Sequence, residues 1–189
     1  MTRIIAGRAK GRRLRVPRGS GTRPTSDRVR EALFSALDAA VGSWAGLRVA
    51  DLYAGSGALG LEALSRGAEH VMLVESDPRT ASVARENVAA VGLPGATVVT
   101  RSVSAVVRDT AAGSPYDVVL LDPPYALAGD DVTAVLDALV ARGWLADDAV
   151  VVVERDRRSP PLRWPAGLRP DRERRYGETV LHYARHMAG

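Results

Sequence analysis

The chain contains no cysteine, which excludes disulfides, thiolate zinc sites, iron–sulfur ligation and a cysteine nucleophile together. It has a single lysine, Lys10, so its positive charge is almost wholly arginine. Its longest aliphatic runs, such as residues 149–153, fall far short of the roughly 20 residues that span a bilayer. No apolar stretch near Met1 resembles a signal peptide. Internal repeats and low-complexity segments are also missing. A soluble, cytoplasmic protein is expected, and 189 residues suffice for one domain with a small appendage and no covalent staples.

What charge there is sits unevenly. Residues 1–30 carry ten basic side chains and one acid, Asp27, for a local +9, whereas the rest of the chain sums to −5. A mildly acidic body led by a basic segment suggests an arm for phosphate, against the plainer reading of a solvated tail. The segment also has pattern. Residues 3–6 and 12–16 are short β-prone runs around Gly7–Gly11, which predicts a hairpin. Residues 17–24 read as a Gly/Pro/Ser loop. Thr25 or Ser26 can then cap a helix with Val29, Leu33, Leu37 and Ala40 on one face.

From residue 47 the rhythm changes. Short apolar runs at 47–53, 70–75, 97–100, 116–121 and 149–154 alternate with helical patterns at 58–66, 78–91 and 131–142. Gly67, Gly92 and Gly143 stand at the helix ends. Continuous apolar strands separated by helices predict a parallel sheet covered on both faces. Past Pro160-Pro161, residues 168–174 and 179–185 read as two neighbouring antiparallel strands.

Two motifs carry chemistry. In Asp51-Leu52-Tyr53-Ala54-Gly55-Ser56-Gly57-Ala58-Leu59-Gly60, the three glycines have G-x-G-x-x-G spacing between a strand and a helix. Such a turn brings backbone close to a nucleotide and aims helix N-terminal N–H groups at it. Glu75, twenty residues past Gly55, ends the next strand, where a carboxylate accepts both hydroxyls of a ribose. NAD enzymes and S-adenosylmethionine enzymes share this much. Asp51 separates them, because a carboxylate there is awkward beside a pyrophosphate and suits an ammonium group.

The second motif is Asp122-Pro123-Pro124-Tyr125, directly after the apolar run 116–121. Consecutive prolines remove two N–H donors and hold the chain extended, so the carbonyls and Asp122 are offered as acceptors. An exocyclic amine needs such acceptors, which draw its nitrogen toward tetrahedral geometry and make its lone pair available to a methyl group. Tyr125 offers a face on which a flipped base can stack.

Together the motifs resemble class I S-adenosylmethionine-dependent amino methyltransferases. The finer resemblance is to the bacterial 16S rRNA (guanine(966)-N(2))-methyltransferase family. It rests on Arg3-Ile4-Ile5-Ala6-Gly7, Gly11-Arg12-Arg13-Leu14, Arg23-Pro24-Thr25-Ser26-Asp27-Arg28-Val29-Arg30-Glu31, residues 51–68 and 122–125, and Arg175-Tyr176-Gly177-Glu178-Thr179. The resemblance implies an α/β fold: a doubly wound, mostly parallel, seven-stranded Rossmann-like sheet with an N-terminal β-hairpin. Residues 1–24 would form the RNA-binding arm and 25–189 the methyltransferase domain. The activity implied is methyl transfer from S-adenosyl-L-methionine to a guanine N2 amine in 16S rRNA of the small ribosomal subunit. By the same resemblance Asp122, Pro123, Pro124 and Tyr125 are catalytic. Asp51, Tyr53, Gly55, Ser56, Gly57, Gly60, Glu75, Ser76 and Ser102 hold the cofactor. Arg3, Arg8, Lys10, Arg12, Arg13, Arg15, Arg23 and Arg28 hold RNA. No metal or membrane is implied, and a monomer is expected.

Such enzymes usually place an acid or amide after the third of these strands to hold the adenine amino group. Here the stretch is Thr100-Arg101-Ser102-Val103-Ser104, which leaves Ser102 or a backbone carbonyl as the acceptor. Other constellations are weak. His70, His182 and His186 lack metal-ligand spacing, and Ser56 lacks the nucleophile-elbow frame. The arginines of 155–175 are interrupted by Asp156, Asp171 and Glu173 and read as a solvated face; Trp144 and Trp164 read as packing residues. Two other function classes stay open: a DNA amino methyltransferase of the adenine-N6 type, and a non-catalytic RNA-binding protein.

Overall fold

The computed structural model describes residues 2–17, 26–111 and 113–187. In chain order the elements are β1 (Thr2–Arg3), β2 (Arg13–Leu14), α1 (Asp27–Val41), β3 (Arg48–Leu52), α2 (Ala58–Arg66), β4 (His70–Val74) and α3 (Pro78–Val91). There follow β5 (Ala96–Val99), α4 (Val103–Arg108), β6 (Tyr116–Leu121), α5 (Gly129–Ala141), β7 (Leu145–Asp156), β8 (Leu168–Tyr176) and β9 (Thr179–His186). Among the described residues, no helix is long and apolar enough to cross a membrane.

The expected sheet is present. Seven strands run in the order β5-β4-β3-β6-β7-β9-β8; the first five are mutually parallel, and β9 pairs antiparallel with β7 and β8. Alternation along each strand divides the core into two layers, as the two-residue period of a strand requires. Val49, Val71, Leu73, Val118, Leu120, Val150 and Val152 face one layer with α1 and α2. Ala50, Leu52, Met72, Val74, Val119, Leu121, Val151 and Val153 face the other with α4 and α5. The chain winds outward from β3 to β4 and β5 on one side and returns to β6 on the other. The carboxyl ends of β3 and β6 therefore flank the crevice where doubly wound sheets bind ligands.

Local chemistry accounts for most boundaries. Ser26 caps α1, its side chain accepting from Val29 N at 3.3 Å. Asp77 caps α3 through Thr80 N, with Pro78 at the first helical position. Three elements depart from expectation. α4, absent from the expected helices, is only six residues long and valine-rich, and Ser102 caps it. β7 extends back to Leu145, well before residue 149, across an irregularity in its register with β6 where Asp148 takes a left-handed conformation (φ 59°). α5 starts at Gly129, slightly ahead of the expected start.

The hairpin forms, but its ladder is short: Thr2 pairs with Leu14 and Arg3 with Arg13. Beyond Ile4 the backbone turns away, because the Ile5 and Ala6 N–H groups donate to the carboxylate of Glu62 on α2 (2.8 and 3.0 Å). Ala9 N donates to Ser65 Oγ at 2.9 Å, and Ser65 Oγ donates to the Ala6 carbonyl at 2.6 Å. Gly7 is required here. Its φ is +82°, and a Cβ would lie 2.0 Å from the Ser65 carbonyl oxygen. Ile4, Ala9 and Leu14 are buried in the same layer as α1 and α2, so the described part of the arm is docked to the body. The 17–24 loop beyond Pro17, Arg23, Thr25 and the boundary drawn between 24 and 25 lie outside the described residues.

Candidate active site

A cavity of about 790 Å³ opens at the carboxyl ends of β3, β4 and β6. Asp51, Tyr53, Gly55, Ser56, Glu75, Ser76 and Ser102 line it, together with Asp122, Pro123, Pro124 and Tyr125. The two sequence motifs, separated by more than sixty residues, thus share one space because β3 and β6 are neighbours in the sheet. The Asp122 N–H donates to the Leu52 carbonyl at 3.3 Å, which joins the end of one motif's strand to the start of the other motif.

Asp51 sits at the floor. It is 1% exposed, and its Oδ2 accepts the Gly60 N–H at 2.8 Å. Burial pushes its carboxyl up to about 7; the Gly60 hydrogen bond opposes this shift, and the charge of Glu75 adds to it. A buried acid in this condition favours a neighbouring cation. Glu75 spans the glycine turn: Oε2 accepts from Gly55 N at 3.0 Å and Oε1 from Asp77 N at 2.8 Å. Tyr53 is one of two non-glycine residues with positive φ among the described residues (φ 65°), a conformation found where a site over-determines the backbone. Burial, followed by the charge of Asp131, pushes its phenol up to about 12.

The three glycines divide their work. Gly55 has φ +56° and nothing within 4 Å of a built Cβ, so open space lies beside it at the cavity wall. Gly57 and Gly60 do not line the cavity. A Cβ on Gly60 would lie 2.4 Å from Leu73 Cδ2 and 2.7 Å from Val71 Cγ1, so this glycine lets α2 press against β4. Gly57, with φ +81°, meets Leu73 in the same way at 2.9 Å. Asn87 fastens the turn from behind, donating to the carbonyls of Ser56 and Arg15 (both 2.9 Å).

Ser102 reaches the cavity, yet its Oγ caps α4 by accepting from Ala105 N at 3.3 Å. Tyr125 is 45% exposed at the cavity, a large flat surface open to solvent. Arg3, Arg8, Lys10, Arg12, Arg13, Arg15 and Arg28 are all exposed and none lines the cavity. Arg15 pairs with Glu86 at 2.7 Å. Arg30, one of the ten charges of the basic segment, is instead buried and forms part of the cavity wall with Thr2, Val16 and Pro17. Neither Arg30 nor Glu62 stands out as a site residue by motif. Their signal is position: each is a charged residue on the apolar stripe of its helix, Arg30 beside Val29 and Leu33, Glu62 beside Leu61 and Leu64.

The sheet order, the glycine turn with its two acids, and the Asp-Pro-Pro-Tyr mouth on one cavity define a class I S-adenosylmethionine-dependent methyltransferase. The chain belongs to the family described as Conserved hypothetical protein 95, which it matches over residues 2–185. It is 36% identical over 188 residues to the Ribosomal RNA small subunit methyltransferase D of Escherichia coli K12, covering 99% of this chain and 91% of that protein. The Haemophilus influenzae protein of the same name is 35% identical over 167 residues, 86% of this chain and 84% of its own. A solved Escherichia coli structure, 34% identical, superposes with a TM-score of 0.86 over 99% of this chain and 98% of that one. At 21% identity, the rRNA methyltransferase aviRa from Streptomyces viridochromogenes shares the fold (TM-score 0.68; 88% and 87% coverage).

The methyl donor is S-adenosylmethionine, and the cavity suits it. The buried acid at its floor, the carboxylate at the end of β4 and the open space beside Gly55 match an ammonium group, a ribose and a nucleoside lying close to backbone.

Proposed function

We propose that this protein methylates the exocyclic N2 amine of a guanine in 16S rRNA of the small ribosomal subunit. The observation that carries the reading is the single cavity shared by the Asp51–Glu75 turn and the 122–125 mouth. The names of the relatives and the motif resemblance of the whole chain supply the substrate class. Residues 1–24 serve as the RNA-binding arm and 25–189 as the methyltransferase domain, acting as a monomer in the cytoplasm.

S-adenosylmethionine supplies an electrophilic methyl group on a sulfonium. Asp51 would hold its ammonium group and Glu75 its ribose hydroxyls; Tyr53, Gly55, Ser56 and Ser76 would line the nucleoside, and Ser102 would meet the adenine. Gly57 and Gly60 act one step back, fixing the turn through packing. At the mouth, the guanine stacks on Tyr125. Asp122 and the Pro123 carbonyl accept the N2 hydrogens and pull the nitrogen toward tetrahedral geometry; Pro124 keeps this stretch extended. No strong base is needed beforehand, because the N2 proton becomes acidic only as the nitrogen gains positive charge. It then leaves to Asp122 or to solvent. Positioning therefore does most of the work. Arg3, Arg8, Lys10, Arg12, Arg13, Arg15, Arg23 and Arg28 hold phosphates around the target loop.

The test is incubation of the protein with labelled cofactor and, separately, 16S rRNA, small subunits and DNA. Label on a guanine of the RNA or subunit is expected. Label on DNA alone, or bound RNA without label, would replace this reading with one of the other two classes.

A further inference from the structure

The proposed chemistry leaves three charged residues of the cavity wall unused, Arg30, Arg108 and Asp131, and of these only Arg30 is buried. It lies on the buried face of α1 with Val29, Leu33, Phe34 and Leu37, and is 1% exposed. Its Nη2 donates to the Arg3 carbonyl and to Asp27 Oδ1 (3.0 Å), and Thr2 Oγ1 donates to the same Asp27 oxygen (3.1 Å). Its Nε is buried and has no hydrogen-bond partner among the described residues. A buried cation with an unused N–H is costly, and such groups persist where a ligand completes them.

Charge and direction decide what that ligand is. Asp27 already balances the guanidinium, so a phosphate gains little there. The exposed basic residues of the arm offer phosphates a solvated place instead. A neutral carbonyl suits the site better. The edge of guanine presents its N2 amine, N1–H and O6 in sequence. A guanidinium only donates, so of these three it can meet only O6. An adenine with its amine at 122–125 has only C2–H at that position, which leaves the guanidinium without an acceptor. The acceptors of 122–125 take an exocyclic amine from either purine and make no such distinction.

We propose that Arg30 reads the O6 carbonyl of the target guanine while residues 122–125 hold its N2 amine, which makes Arg30 the determinant of guanine over adenine. The inference rests on the guanine-N2 reading above. It also gives the docked arm a second task, since the Arg3 carbonyl and Thr2, through Asp27, hold the guanidinium in place.

The experiment uses the full chain and two RNAs identical except at the target, which is guanine in one and 2-aminopurine in the other. The second base keeps the N2 amine and lacks O6. The wild-type protein is expected to favour guanine by about 100-fold in kcat/KM. In Arg30→Met the ratio should fall toward one, and Arg30→Lys should restore part of it. A fall of both rates together in Arg30→Met, at an unchanged ratio, would make Arg30 a clamp for the arm and overturn the proposal. Equal wild-type rates on the two RNAs overturn it whether or not the variants fold. If the wild-type protein binds cofactor and methylates neither RNA, the guanine-N2 reading itself falls.

Discussion

The carboxylate of Asp51 and the backbone N–H of Gly60 lie 2.8 Å apart, tying the end of the first parallel strand to the helix that the glycine turn opens. The same carboxylate is buried and shares the cavity with Glu75, so one acid both shapes the turn and, in the proposed function, faces the cofactor's ammonium group.

That double role predicts a pH dependence. With its carboxyl raised to about 7 from 3.8, Asp51 binds its proton more tightly folded than unfolded. Its contribution to apo stability is full below about pH 4 and is lost as pH rises through about 7. Cofactor affinity runs the other way, because the ammonium needs the charged form, and it should climb to about pH 7 and level off. Asp51→Asn keeps an acceptor for Gly60 and removes the charge. Calorimetric titration should show affinity lower by about 1.5–3 kcal/mol, or roughly 10- to 150-fold, with the pH dependence flattened. An unchanged affinity and slope would remove Asp51 from the cofactor site.

At the mouth, Asp122→Ala should slow single-turnover methylation by about 100-fold or more with little change in cofactor affinity. Tyr125→Ala should act in the same direction through lost stacking, worth about 1–3 kcal/mol per base, with Tyr125→Phe milder. Rapid-quench measurement at saturating cofactor distinguishes these effects from weaker binding.

The hairpin clasp predicts a stability effect far from the chemistry. Glu62 is fully buried and accepts from Ile5 N, Ala6 N and Arg66 Nε. Glu62→Ala strands these donors and should cost about 3 kcal/mol, read as a lower urea midpoint. Deleting residues 1–17 strips Ile4, Ala9 and Leu14 from the core as well, so it should destabilise the protein at least as much.

For the same reason, the RNA role of the arm is best tested by charge and not by truncation. Replacing exposed Arg3, Arg8, Arg12 and Arg13 with Gln leaves the clasp intact. If they neutralise phosphates, the log–log salt dependence of RNA binding should flatten by about 0.7–0.9 for each phosphate that is no longer neutralised. A binding titration over salt on both proteins checks this, and an unaltered slope would return those arginines to ordinary solvated charges.

The sheet and its crevice are legible in the sequence because their signals are local. α2 and α3 begin and end where Gly57, Gly67, Asp77-Pro78 and Gly92 indicate, and the run 116–121 is β6 residue for residue. The short helix α4 is not legible. Val103, Val106 and Val107 have helical spacing, but six residues are too few for that period to stand out from a valine-rich strand. The helix owes its place to packing of these valines against the sheet. The hairpin ladder is shorter than its β-prone runs suggest, because nothing in residues 3–6 reveals that Glu62, more than fifty positions away, captures two of their N–H groups. By sequence Arg30 is one more charge in a basic segment. Its burial depends on the docked arm, a tertiary fact that net charge conceals.

α2 is occupied on every side. Every residue from Leu59 to Ser65 is buried: leucines toward the sheet and core, Gly60 against β4, and Glu62 and Ser65 toward the hairpin. Each residue of an α-helix advances about 100° around its axis. One residue inserted or removed within this helix would therefore rotate the hairpin clasp away from its partners while the glycine turn stayed fixed, or the reverse. The length of α2 sets the angular phase between the arm and the glycine turn.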